Sequence, residues 1–168
     1  FLAENAWEET LTMIPAKTAL QMQLLKEITE IRSQQGIRDE VYRKCVSEFL
    51  EGIGYKDGAD DQELGAGYNN NFSNYYQPFM ANRPHMMENY LVNQVFKNLF
   101  PFERETVFES YVMLVIQYAL IKLHLIGMSG FHKGLSDDLV VKLVYSFCRN
   151  IEHNPEFLKW ILDAFREK

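Results

Sequence analysis

Residues Thr106 to Phe131 read TVFESYVMLVIQYALIKLHLIGMSGF, and this stretch decides the fold. Apolar side chains occupy nearly every side of a 3.6-residue repeat, which marks a helix at the centre of a bundle rather than on its surface. Glu109, Ser110, Gln117 and His124 share one polar strip, the last three spaced seven apart, while Lys122 falls on a different side. A membrane span needs about 20 mostly uncharged apolar residues. The run from Val107 to Met128 is broken by Glu109, Gln117, Lys122 and His124, so it reads as a buried core helix and no membrane is expected.

Working outward, the same period recurs and no alternating strand pattern appears. Upstream, Leu20, Leu24, Leu25, Ile28 and Ile31 line one face of an expected helix from Ala16 to Ser33, opened by Pro15 and followed by Gly36. An additional helix from Glu4 to Ile14 is expected before it. The next helix is expected from Asp39, a cap, through Val41, Tyr42, Cys45, Val46, Phe49 and Leu50 to Gly52 and Gly54. His85 to Phe100 forms another, with Leu91, Val92, Val95 and Leu99 on one side, ended by Pro101. Downstream, Gly127, Gly130 and Gly134 punctuate a turn, and Ser136 caps a helix burying Leu139, Val140, Leu143, Val144, Phe147, Cys148 and Ile151. Asn154-Pro155 opens a last helix carrying Phe157, Leu158, Ile161, Leu162 and Phe165. Residues 55–84 are expected as one long loop, mobile and polar around Lys56–Gln62 and aromatic from Tyr68 to Met80. The expected fold is therefore all-α: a single compact bundle of six to seven helices around a central buried helix, one domain over residues 1–168, with one long aromatic loop.

Composition narrows the function. At 168 residues the chain holds about one domain and can bury a core without staples. Apolar residues make up 47% and charged residues 24%, the balance of a globular protein rather than a disordered one. The net charge of −6 repels phosphate backbones, so nucleic acid is not an expected partner. Cys45 and Cys148 are too far apart for a CxxC site, and at core-facing positions of apolar stripes both read as inert packing thiols. His85, His124, His132 and His153 lack the local pairing of zinc ligands, so no metal is expected. The chain begins at Phe1 without a secretory pattern, which fits a piece of a longer, cytoplasmic protein.

Two motifs need weighing. Glu63-Leu64-Gly65-Ala66-Gly67 is similar to the glycine turn that cradles S-adenosylmethionine in doubly wound methyltransferases. That turn needs a buried strand before it, and Asp57–Gln62 cannot supply one, so a plain glycine loop is expected. Asn89, Asn93 and Lys97, at i, i+4 and i+8, stack on one face of the helix from His85. Asparagine is a poor interior helix former, so an amide row hints at hydrogen-bonding work against the plainer alternative of a solvated face.

Longer blocks carry a resemblance. Tyr75–Met80, Glu88–Asn93 with Phe96–Phe102, Tyr118–Met128 and Ser146–Asn154 resemble the C-terminal half of flagellin lysine-N-methylases, with Arg43–Gly52 a weaker match. The resemblance implies methylation of flagellin lysines in the bacterial cytoplasm, with S-adenosylmethionine as methyl donor. It also implies a cysteine-rich N-terminal region similar to iron–sulfur proteins. That region has no counterpart here, so this chain is expected to be the helical C-terminal part, without the cluster and inactive alone. Polar residues set in apolar helix text are then the site candidates: Asn93, Asn98, Lys122, His124, Arg149 and His153. Arg149 would hold the donor's methionine carboxylate, and Glu88 or Glu152 the substrate ammonium. Tyr76 and the aromatic residues from Tyr68 to Phe79 would cover a lysine stem. The alternative is a non-catalytic helical module, either ligand-binding as in the C-terminal domains of tetracycline-repressor-like regulators, though no basic recognition helix is present, or a protein-docking part.

Overall fold

A computed structural model describes residues 36–56, 60–152 and 159. The expected helices over 4–14 and 16–33, and the last one opened by Asn154-Pro155 apart from Lys159, lie outside the described residues.

Five helical runs and no strand occur among the described residues. Helix α1, Glu40–Gly52, starts where the Asp39 carboxylate accepts the Tyr42 N–H at 2.9 Å. Helix α2 begins as Asp61–Asn71, widens into a π-helical turn over Phe72–Tyr76 and closes as Gln77–Met80. Helix α3, Pro84–Lys97, opens on a proline and ends before a turn in which Leu99 takes φ +55°. Helix α4, Val107–His132, is capped by the Thr106 hydroxyl, which accepts the Glu109 N–H at 3.1 Å. Helix α5, Asp137–Phe147, is capped by Ser136 and runs into a second π-helical turn at Cys148–Glu152.

Helix α4 packs against each of the other four and so forms the axis of the bundle. By length and composition it is apolar enough to cross a membrane, yet 67% of its most apolar window is buried inside the fold. From Leu120 to Gly130 every residue but Lys122 is buried. Its first turns differ: Val107, Phe108, Tyr111 and Val115 face outward, while the polar strip of Ser110, Gln117 and His124 faces the core. Ser110 is satisfied there, its hydroxyl donating to the Pro101 carbonyl at 3.0 Å.

Two expectations need correction. Residues 61–80 are not a loop but helix α2, and the Glu63–Gly67 stretch is helical. Gly, Asn and Ser are weak helix formers, but tertiary contacts outweigh propensity here. Leu64 and Tyr76 are buried, and a Cβ on Gly67 would come within 2.7 Å of the Ile53 carbonyl. The buried Asn71 amide donates to the Gly52 carbonyl at 2.8 Å, tying α2 to the end of α1.

Likewise, Gly127 and Gly130 do not form a turn; they lie inside α4 and only Gly134 follows its end. Gly127 is small because α1 crosses there, and Gly130 because the Asn71 side chain of α2 lies on it. A Cβ on Gly52 would overlap the Gly127 carbonyl, and one on Gly127 would come within 2.6 Å of the Phe49 carbonyl. Bare backbones at one crossing let two helices approach closely, and the large side chains around them then interlock.

Beside that crossing sits a buried carboxylate. Glu48, with its side chain 6% exposed, lies 3.1 Å from His132 Nε2 on α4 and 3.9 Å from Lys142 Nζ on α5. It joins three helices, because a buried carboxylate requires partners.

Candidate functional site

An open groove of about 520 Å³ runs between α3 and α5. One wall is the amide row expected from the sequence: Asn89, Asn93 and Lys97, with His85, Tyr90 and Gln94 alongside. The other wall is apolar, formed by Val140, Val141 and Val144 and closed by Tyr145 and Cys148. Asn89 and Asn93 are exposed, and neither side chain has a hydrogen-bond partner among the described residues. A carboxamide offers two donors and an acceptor, so this wall can pair with the N–H and C=O of an extended peptide while the valines receive an apolar stem.

The remaining candidates are distributed elsewhere. His124 is buried among the rings of Tyr42, Phe49 and Phe147. Its Nδ1 lies 2.7 Å from the Leu120 carbonyl, which can only accept, so the proton is on Nδ1. Nε2 is then free to accept the Tyr42 hydroxyl at 3.5 Å. Burial pushes the imidazole down from 6.5 to about 4, outweighing the opposing effect of the Leu120 bond. It is a neutral, satisfied core histidine.

Asn98 ends α3 by donating to Gln94 Oε1 at 2.9 Å, and does not line the groove. Glu88 is exposed on α3, outside the groove. Arg149 is exposed beside Tyr145, its guanidinium 5.5 Å from that ring and 3.7 Å from Asp39 Oδ2. The Tyr42 N–H holds the Asp39 carboxyl below its usual range, with Arg149 assisting. His153 and the side chain of Glu152 lie outside the described residues.

Lys122 and Tyr76 do come together. Tyr76 lies in the π-turn of α2, its ring stacked on Phe72 at 5.7 Å between centroids, and Lys122 Nζ sits 5.4 Å from the Phe72 centroid. Burial lowers the Lys122 ammonium and raises the Tyr68, Tyr76 and Tyr118 phenols; the neighbouring phenols add to the rise at Tyr76.

The glycines of 63–67 lie within a helix rather than in the expected loop, and Arg149, expected at the donor's carboxylate, is exposed with Asp39 Oδ2 at 3.7 Å and the Tyr145 hydroxyl at 3.5 Å. Among the described residues no group of three His, Cys, Asp or Glu could hold a metal, and burial keeps the Cys45 thiol protonated by pushing it up.

Sequence reasoning did not anticipate the groove's far wall. Val141 and Tyr145, apolar residues four apart and off the buried stripe of their helix, were its available signal. Nor did it separate Tyr118 from its block, though it stands one turn before Lys122.

Over residues 1–168 the chain matches the family model described as FliB lysine N-methylase C-terminal domain. No curated protein matches it, and no solved structure does. The helical architecture and the match along its whole length lead to one assignment: the chain belongs to the FliB lysine N-methylase C-terminal domain family.

Proposed function

We propose that this domain is the protein-substrate side of an S-adenosylmethionine-dependent lysine N-methyltransferase acting on flagellin in the cytoplasm. The observation that carries the reading is the opening of the unpartnered amides of Asn89 and Asn93 onto a groove with an apolar opposite wall. An extended flagellin segment would lie along α3, pairing its backbone with the two amides. The alkyl part of a lysine or its neighbour would rest on Val140, Val141 and Val144. S-Adenosylmethionine supplies the methyl group; the iron–sulfur cluster belongs, on this reading, to the cysteine-rich region that completes the enzyme.

The test uses the full-length methylase and transfer of labelled methyl groups to flagellin. The double variant Asn89→Ala/Asn93→Ala is expected to raise KM for flagellin about tenfold, the loss of two net hydrogen bonds of about 0.7 kcal/mol each. The kcat and the donor affinity should stay unchanged. An unaltered KM sinks the assignment of the groove.

A second reading, a docking module without chemistry of its own, is favoured by the exposed apolar run Phe96, Leu99, Phe102, Val107 and Phe108. It predicts that Phe102→Ser with Phe108→Ser abolishes flagellin binding while the Asn89→Ala/Asn93→Ala pair leaves it intact.

A further inference from the structure

Two sequence blocks some forty residues apart meet where the π-turn of α2 lies on α4, and the groove makes no use of them. In the π-turn the Gln77 N–H reaches back five residues to the Phe72 carbonyl. Such widened turns often occur at functional sites. Here the turn stacks Tyr76 on Phe72, 25° from parallel, and Phe72 in turn meets Lys122. Tyr118 stands one helical turn before Lys122 on α4, and Tyr68 one turn before Phe72 on α2. Tyr68 and Tyr118 lie within electrostatic range of Tyr76. Every polar group in this cluster is a donor: one ammonium and three phenols. None has a hydrogen-bond or ion-pair partner among the described residues, and Lys122 meets no carboxylate there. The Tyr76 side chain is 95% buried.

We propose that Lys122, with the hydroxyls of Tyr68, Tyr76 and Tyr118, forms a receptor for a carboxylate. A carboxylate is acceptor-only and has about four lone-pair sites, which complements an ammonium and three hydroxyls able to donate. It would also supply the counter-charge that the half-buried ammonium lacks. The carboxylate has two possible sources, the amino-acid end of the methyl donor or an acidic side chain of the protein substrate.

Calorimetry and kinetics on the full-length methylase separate them. Lys122→Met keeps the stem over Phe72 and removes the charge; Tyr76→Phe keeps the stacked ring and removes one donor; Lys122→Arg restores the charge. If the donor is the source, Lys122→Met loses tenfold or more in affinity for S-adenosylhomocysteine but none for its decarboxylated analogue. Tyr76→Phe then loses a few-fold and Lys122→Arg stays within about threefold of the parent. If the substrate is the source, S-adenosylhomocysteine binding is unmoved and KM for flagellin rises instead. That rise disappears on flagellin whose acidic residues near the target lysine are amides. Folded Lys122→Met and Tyr76→Phe proteins that match the parent in both measurements overturn the proposal. The inference borrows its probes from the methylase reading, but the two fail separately. Its failure leaves the Asn89→Ala/Asn93→Ala result standing, and an unmoved flagellin KM in that pair leaves the S-adenosylhomocysteine measurement standing.

Discussion

The two ends of helix α4 belong to the same apolar text but fare differently. From Leu120 to Gly130 the helix is enclosed, crossed by α1 at a point where Gly52 and Gly127 leave no room for a methyl group. From Val107 to Val115 its outer face is bare, with Val107, Phe108, Tyr111 and Val115 exposed. Hydrophobicity alone does not distinguish these ends. What distinguishes them is residue size at the crossing: small residues draw a neighbour in, and large ones with no groove opposite remain outside. Stability is therefore concentrated at the glycine end, while the open groove and the bare face remain available for partners.

That contrast breaks most directly at the crossing. Gly52→Ala is expected to lower unfolding stability by about 3 kcal/mol or more, because the new methyl overlaps backbone rather than a movable side chain. Chemical denaturation of the domain measures it, and a loss below about 1 kcal/mol would show the crossing to be loose. Next comes His124, one turn before Gly127. Its pKa is about 4 folded and 6.5 unfolded, so as pH falls the unfolded chain takes up the proton first. Stability should decline from about pH 6.5 down to pH 4 by about 3 kcal/mol in total, and remain full above pH 6.5. Comparing the pH dependence of the parent with that of His124→Phe isolates this share, since the variant should lack it. Glu48→Ala is expected to cost about 2 kcal/mol, less than a fully enclosed pair because His132 and Lys142 are about one-third exposed; the same unfolding curves read it. The smallest effect belongs to the bare end, where Phe108→Ser should change stability by less than about 0.5 kcal/mol. A larger loss would mean that this face is packed in solution and the two ends are more alike than they look.

Much of this was readable from the chain. The caps at Asp39 and Ser136, the stripe Tyr42, Cys45, Val46 and Phe49, and the greasy centre of α4 all follow from local chemistry and period, and each stands where expected. Helix α2 was not legible, since Gly65, Gly67 and the asparagines 69–71 favour turns when read alone. They are helical because Gly67 lies on Ile53 and Asn71 reaches Gly52, contacts no local window contains. The site was legible by half. The spacing of Asn89 and Asn93 showed a row of amides, but the valine wall facing them comes from a helix some fifty residues later. His124, polar text in an apolar helix, is buried with Nδ1 on the Leu120 carbonyl and Nε2 facing the Tyr42 hydroxyl.

Ser110, Gln117 and His124 have one more consequence. A rod that is oily on every side can roll about its own axis at little cost, since each orientation buries much the same surface. Three inward polar groups at seven-residue steps remove that freedom, because the step drifts only about 20° per repeat and keeps them in one seam. Rolled by a quarter turn, the rod would carry the Ser110 hydroxyl away from Pro101 and the His124 ring out of its aromatic nest. The angular setting of Tyr118 and Lys122 on the outer side is thereby fixed from within.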